Sequence, residues 1–239
     1  MLYTENFTVR WHDTDAWREM SPSDMLAYMQ EAANHQFCRH ATSLDALRDS
    51  EGVGFILSRI AIDFLQPVHA YEEIEVRTAT CAGHGLSFPR RFEVLRDGAC
   101  VARAASIWAM LHIADKRLMR AEEATLTFGD EPELQTEMPL RHRAPRELTF
   151  TPVGERRIVY SDLDYNLHMN NTKYPNMLCD FLPDPSVRVR GMSLSYLREA
   201  ALGDLLTVER ATDGAGNWYF RTKRGGEVCL EALLRTENR

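Results

Sequence analysis

Residues 162–171 read Asp-Leu-Asp-Tyr-Asn-Leu-His-Met-Asn-Asn, and this stretch is the most informative part of the chain. The side chains in it that can move a proton or hold a water molecule alternate along the sequence, at Asp162, Asp164, Asn166 and His168. In an extended segment, side chains two residues apart project from the same side. We therefore expect these four groups to share one polar face.

A short amphipathic helix is predicted directly after this stretch. Apolar residues recur there at helical spacing, at Tyr174, Met177, Leu178 and Phe181. Asn170 or Asn171 is a suitable N-cap, whereas Pro175 predicts a later start or a bend because proline lacks a backbone N–H. The positive end of such a helix, with the N–H groups near the two asparagines, is suited to stabilising a developing oxyanion.

The same stretch has plainer interpretations. A polar loop rich in capping residues is common before a helix. A calcium loop also begins Asp-x-Asp-x-Asn, but it needs glycine and glutamate at the positions that Leu167 and Lys173 occupy here. A transition-metal site needs two or more His or Cys ligands, and this stretch offers only His168. The sequence therefore predicts no metal.

Composition bounds the class of protein. The chain has 239 residues, 44% hydrophobic and 26% charged, which is typical of a soluble globular protein with one large domain or two smaller ones. No apolar run approaches the roughly 20 residues that cross a bilayer, and the N-terminus lacks signal-peptide features. Five scattered cysteines favour free thiols. We therefore expect a cytoplasmic protein that does not engage a membrane.

Charge narrows the possible partners. The formal net charge of −7 disfavours nucleic acid as a partner. Basic residues nevertheless cluster in two places, at Arg141, Arg143 and Arg146 and at Arg221, Lys223 and Arg224. Each cluster is either a solvated face or a surface that docks an acidic carrier through charge-assisted hydrogen bonds.

The order of the elements predicts an α+β fold. A strand around residues 7–11 precedes a helix over 22–40, which Ser21 and Pro22 are suited to start. After a further helical turn following Ser43, strands separated by turns are predicted over 55–65, 73–82, 86–96, 100–113 and 117–120. One helix followed by antiparallel strands is not the alternation of a doubly wound sheet.

The second half of the chain repeats this pattern. Its strands are predicted over 156–160, 187–197, 204–212, 217–224 and 227–236. An offset of 149 places Asp13, Asp15 and Met20 on identical residues, and an offset of 132 aligns 63–67 with 195–199. We predict two diverged units, at residues 1–130 and 147–239, joined by a linker over 131–146.

The two copies differ where chemistry is expected. Three polar residues of the second copy are replaced in the first, Asn166 by Trp17, His168 by Glu19 and Glu199 by Pro67. We therefore expect catalysis in the second unit and a substrate pocket shaped by the first. Trp17, Met25 and Met29 suit the wall of that pocket, and they suit a plain hydrophobic core equally well.

The run at 162–174, with Tyr-Leu-Arg-Glu at 196–199, resembles the active-site signature of acyl-acyl carrier protein thioesterases. Ser-Ile-Trp at 106–108 and Lys-Arg-Leu at 116–118 resemble the strand that closes the N-terminal unit of that family, so the likeness spans nearly the whole chain. The resemblance implies two tandem hot-dog units, each an antiparallel sheet wrapped around a central helix. It also implies hydrolysis of the thioester that joins a fatty acyl chain to acyl carrier protein.

By this resemblance the catalytic positions are Asp164, Asn166, His168 and Glu199. Plant relatives have a cysteine directly after the glutamate, where this chain has Ala200, so a cysteine nucleophile at that position is excluded. The plastid transit peptide of plant members is absent, which favours a bacterial-type cytoplasmic enzyme.

Thioester hydrolysis needs an aligned water, a base and donors for the carbonyl oxygen. We expect Glu199 or Asp164 to act as the base, Asn166 to hold the water or the carbonyl, and His168 to relay the proton or polarise the base. No cofactor is expected, because a thiolate leaves readily. Alternatives are hydrolysis of acyl-CoA and a non-catalytic acyl-binding protein. Acyl chain length and homodimer formation are left open.

Overall fold

The computed structural model describes residues 2–40, 43–124, 134, 138–140 and 142–239. Contacts divide the chain into two compact units, Met1–Met138 and Pro139–Arg239. The division falls within the linker predicted over 131–146.

The first unit is built on an antiparallel sheet. Its described strands are β1 (Leu2–Thr8), β2 (Val53–Phe64), β3 (Glu73–Thr80), β4 (Phe88–Arg96), β5 (Ala99–His112) and β6 (Arg117–Met119). They lie in the order β1-β3-β4-β5-β2, with β6 paired to β5. Side chains of β3 and β4 are buried in a largely alternating pattern, so this part of the sheet presents one face to the core.

Two helices accompany this sheet. Helix α1 (Pro22–His40) packs against β1 and β3 through a buried apolar side that includes Met25, Leu26, Met29, Ala32 and Ala33. Helix α2 (Leu44–Glu51) begins at the cap Ser43, whose side chain accepts from Ala46 N, and ends at Gly52 in the left-handed conformation with φ 67°. The predicted helix over 22–40 is confirmed.

The second unit has the same plan with a much shorter helix. Its described strands are β7 (Thr151–Arg157), β8 (Arg188–Tyr196), β9 (Leu205–Thr212), β10 (Asn217–Arg224) and β11 (Glu227–Glu237), in the order β8-β11-β10-β9-β7. Helix α3 (Tyr174–Cys179) carries Pro175 in its first turn, where no intrahelical N–H donor is required. The α-helix therefore begins later than a cap at Asn170 or Asn171 would place it, and the later start predicted from the proline is confirmed.

Two strand predictions are wrong at corresponding places. β1 ends at Thr8 and β7 ends at Arg157, and a 3-10 turn follows each strand within three residues. In both turns an aspartate carboxylate accepts the N–H three residues earlier, from Arg10 to Asp13 (3.1 Å) and from Val159 to Asp162 (2.9 Å). These local bonds replace the ladder that an extended chain would make.

The duplication reappears in the backbone hydrogen bonds. Met20 N donates to Val68 O (2.7 Å), and the residues at offsets of 149 and 132, Met169 and Ala200, make the same bond (2.8 Å). Each unit therefore ties its aspartate-rich turn to the loop that precedes a later strand. The sequence offsets describe a structural repeat.

Candidate active site

Asp164 closes a tight turn rather than lying in an extended segment. Its N–H donates to His168 O (2.9 Å), and Leu167 N donates to Asp164 O (3.0 Å). The carboxylate accepts from Asn166 N (2.8 Å) and His168 N (3.4 Å). Leu167 adopts the left-handed conformation with φ 63°, which is uncommon for a residue other than glycine. The expected extended segment with one polar face is therefore wrong, because the carboxylate bonds to its own backbone.

Asp162 is set apart from the other three polar residues by burial. The residue is 5% exposed, and its carboxylate lies 2.6 Å from Arg156 Nη2 while also accepting from Val159 N. This ion pair and hydrogen bond occupy both carboxylate oxygens. Asp162 therefore supports the turn.

His168 and Glu199 approach each other although they are 31 positions apart in the sequence. The distance from His168 Nε2 to Glu199 Oε2 is 3.3 Å, and the two side chains are 30% and 50% exposed. A backbone bridge between His168 and Ala201 brings the two segments together. The turn at Asp164 and the loop at Glu199 thus place an imidazole and a carboxylate side by side at the surface of the second unit.

The loop that carries Glu199 is held at several backbone atoms. Leu197 N and Arg198 N both donate to Cys229 O, at 2.8 and 3.1 Å. On the other side of the glutamate, Ala200 O accepts from Met169 N, and Ala200 itself is 1% exposed. A fixed backbone limits where the Glu199 carboxylate can go.

The two asparagines after the turn have structural roles. The Asn170 side chain accepts from Thr172 N (2.9 Å), so the predicted cap serves the 3-10 turn that precedes α3, and α3 itself begins at Tyr174. Asn170 N donates to Asp162 O (2.8 Å), so the expectation that this N–H receives an oxyanion is wrong. Asn171 O accepts from the Tyr196 hydroxyl (2.9 Å), which ties the turn to β8.

The second basic cluster is paired with acidic side chains. Its three ion pairs join Arg221 to Glu231 (3.1 Å), Lys223 to Glu209 (2.8 Å) and Arg224 to Asp204 (2.7 Å). The positive charges of these side chains are therefore already compensated by neighbouring carboxylates, which makes the cluster less suited to docking an acidic carrier. In the first cluster, Arg141 lies outside the described residues.

The first unit contains a small pocket that opens to solvent. Aromatic side chains form much of its wall, at Phe37, Phe55, Phe88 and Trp108. The three residues predicted to line a pocket lie elsewhere in the unit. Met25 and Met29 are 3% and 0% exposed in the core, as the plainer interpretation expected, and Trp17 is 47% exposed.

Two features are absent from the described residues. Those residues contain no cluster of three or more His, Cys, Asp or Glu side chains placed to hold a metal ion. Their helices include none that is both long and apolar enough to span a membrane.

Comparison with known proteins identifies the class and the family. The acyl-ACP thioesterase N-terminal domain model matches residues 1–127, and the acyl-ACP thioesterase C-terminal domain model matches 151–231. A solved acyl-ACP thioesterase from Bacteroides thetaiotaomicron has a TM-score of 0.87 at 23% identity, covering 99% of this chain and 98% of that one. The 12:0-ACP thioesterase from Umbellularia californica gives 0.78 at 16%, covering 100% and 98%. These matches confirm the tandem hot-dog fold, and the chain belongs to the acyl-ACP thioesterase family.

Curated relatives are similar along the same length. The chloroplastic palmitoyl-acyl carrier protein thioesterase of Arabidopsis thaliana is 24% identical over 265 aligned residues, which include 100% of this chain and 61% of the plant protein. A chloroplastic acyl-[acyl-carrier-protein] hydrolase of Cuphea viscosissima is 23% identical, over 95% and 61%. The chain thus spans about three fifths of the length of these relatives.

Proposed function

We propose that the protein hydrolyses the thioester of fatty acyl-acyl carrier protein, releasing a free fatty acid. The observation that carries this proposal is the 3.3 Å approach of His168 Nε2 to Glu199 Oε2, within a chain of the acyl-ACP thioesterase family. A purely acyl-binding protein would not need a carboxylate and an imidazole side by side. Membership of the family supplies the class of substrate.

In this mechanism Glu199 is the general base. Its carboxylate takes a proton from a water molecule as the water oxygen attacks the thioester carbonyl carbon. The C–S bond then breaks, and the leaving thiolate takes the proton from the Glu199 carboxyl to become the thiol, which restores the base. The products are a carboxylic acid and the carrier thiol, so one water is consumed for each thioester. The step needs no metal or redox partner.

The neighbouring residues orient this base and its water. His168 donates from Nε2 to the Glu199 carboxylate and so holds it towards the water. Asn166 extends from the turn that Asp164 closes, and its amide is suited to hold the water or the carbonyl oxygen. Asp164 is a weaker candidate for the base than Glu199, because one of its oxygens already accepts two backbone N–H groups.

We also propose that the enzyme works in a reducing cytoplasm. None of the five cysteines, all of which are described, forms a disulfide bond, and Cys81 and Cys229 are buried. Buried thiols outside disulfides are typical of proteins that do not meet an oxidising compartment.

The test compares two donors, acyl carrier protein and CoA, each carrying acyl chains of several lengths, by measuring the free fatty acid released. We expect wild-type kcat/KM to be at least about tenfold higher for the carrier protein, because surface contacts with the carrier add to transition-state binding. His168→Ala, tested with both donors, controls for contaminating hydrolases. Hydrolysis of neither donor would reject the proposal, and a preference for the CoA donor would replace the carrier protein with CoA as the substrate.

A further inference from the structure

The side chain of Arg224 reaches the backbone of the proposed catalytic glutamate. At the end of β10, Arg224 Nη1 donates to Glu199 O (3.3 Å) and to Asp204 Oδ2 (2.7 Å). The same carboxylate oxygen of Asp204 accepts from Ala201 N (2.8 Å). Arg224 and Asp204 therefore form a clamp that grips the loop at residue 199 and again two residues later.

The first unit contains the same clamp on the equivalent loop. Arg96 Nη1 donates to Pro67 O (2.9 Å) and to Glu72 Oε2 (2.8 Å), and that Glu72 oxygen accepts from His69 N (2.9 Å). Pro67 is the counterpart of Glu199 in the alignment of the two copies. The arginine clamp is therefore a feature of the duplicated fold, and only in the second unit does it hold a carboxylate-bearing residue.

We propose that Arg224, braced by Asp204, is a positioning residue that fixes Glu199 for attack by water. Arg224 Nη1 donates to a carboxylate and to a main-chain carbonyl, so Arg224 acts through Glu199 rather than on the substrate. This inference rests on the proposed function, because it assumes that Glu199 is the base.

Arg224 can affect catalysis because the Glu199 carboxylate moves whenever the backbone of that residue moves. A displacement of about 1 Å in a catalytic group is enough to cost on the order of 100-fold in rate. Backbone bonds to Cys229 O and from Met169 N hold residues 197, 198 and 200, and Arg224 Nη1 adds a bond to the carbonyl of Glu199. Loss of the Arg224 guanidinium removes that bond and loosens the peptide unit directly after the glutamate.

The experiment measures kcat, KM and the pH profile of hydrolysis for Arg224→Gln and Arg224→Lys, with Arg96→Gln as the matched control. We expect Arg224→Gln to lower kcat by about 10- to 100-fold with little change in KM. Arg224→Lys keeps the positive charge but lacks the planar guanidinium group. Its kcat should lie between those of Arg224→Gln and wild type. Arg96→Gln removes the equivalent clamp around Pro67 and should stay within about threefold of wild type.

A double variant distinguishes an effect on the position of Glu199 from an effect on the overall structure. In a Glu199→Gln background, Arg224→Gln should cause no further loss, because the group it positions is already gone. Asp204→Asn, which removes the charge that pairs with Arg224 but keeps a side-chain oxygen, should show a smaller loss of kcat. Melting temperatures identify any variant that fails to fold, and Arg224→Lys and Asp204→Asn then carry the test.

Several outcomes would overturn the inference. Equal losses in Arg224→Gln and Arg96→Gln would make the clamp a general structural feature. Additive losses of kcat in the double variant would also overturn it. So would a loss of kcat in Arg224→Gln that a shifted acid limb of the pH profile explains in full. Wild-type activity in Glu199→Gln alone would instead contradict the proposed function, so the two failures can be distinguished.

Discussion

Among single residues, Asp162 and Asp164 have different structural roles, which their spacing in the sequence does not reveal. Asp162 is buried against Arg156, whereas Asp164 organises the turn from which Asn166 and His168 extend. The sequence identified which residues are polar but placed them on one extended face. It could not show that two of the carboxylates bond to nearby backbone N–H groups, because that competition depends on the local fold.

We predict that Asp162→Asn lowers the free energy of unfolding and leaves kcat nearly unchanged. Removing the carboxylate leaves the Arg156 guanidinium without its partner, at a cost of roughly 1–3 kcal/mol because that arginine is partly exposed. Urea unfolding measures the loss, and kcat corrected for the folded fraction should stay within about threefold of wild type.

The matched control is Asp13→Asn in the first unit. Asp13 is 2% exposed and pairs with Arg10 at 2.8 Å, so a similar loss of stability is expected. A 100-fold fall in kcat with unchanged stability in Asp162→Asn would instead give that carboxylate a chemical role.

At the scale of elements, helix α3 and strand β8 meet through two aromatic rings. Tyr174 and Tyr196 pack edge to face with centroids 5.5 Å apart, and the Tyr196 hydroxyl donates to Asn171 O. Burial raises the pKa of both phenols above the usual value. This pair joins the turn of the candidate site to the sheet. The sequence marked Tyr174 as part of an apolar stripe but gave no sign of its partner.

We predict a loss of stability at alkaline pH that depends on this pair. The folded pKa of each phenol is raised, so its contribution is complete below the unfolded pKa of about 10 and decreases as pH rises above that value. In Tyr196→Phe, urea unfolding from pH 8 to pH 11 should show a shallower decline than in wild type. The variant should also lose about 1 kcal/mol at pH 8 with the hydrogen bond to Asn171. Identical pH dependence in the two proteins would contradict this account.

Element boundaries show what sequence patterns can and cannot supply. Helix α1 begins and ends as predicted, because a serine followed by proline defines its start and an apolar periodicity defines its length. The strands that end at Thr8 and Arg157 were misplaced, because the aspartate turns after them continue an alternating polar pattern without extended backbone. Periodicity locates elements, whereas side-chain bonds to the backbone decide where they stop.

At the scale of the whole molecule, one duplicated plan carries different residues in its two copies. The turn at Asp15 repeats the turn at Asp164, including the left-handed residue, Arg18 with φ 64° and Leu167 with φ 63°. The repeat and the position of Glu199 relative to the turn were accessible from the sequence offsets and the family motif. The arginine clamp was not, because Arg224 looked like part of a basic surface cluster.

We propose that hydrolysis depends on the carboxylate-imidazole pair of the second copy and on no equivalent group in the first. The most direct measurement compares the kcat of His168→Ala with that of Glu19→Ala, the equivalent substitution in the first copy, on the same acyl-carrier substrate. We predict a loss on the order of 100-fold or more in His168→Ala and a change of less than about threefold in Glu19→Ala. Similar rates in both folded variants, whether both high or both low, would contradict the claim.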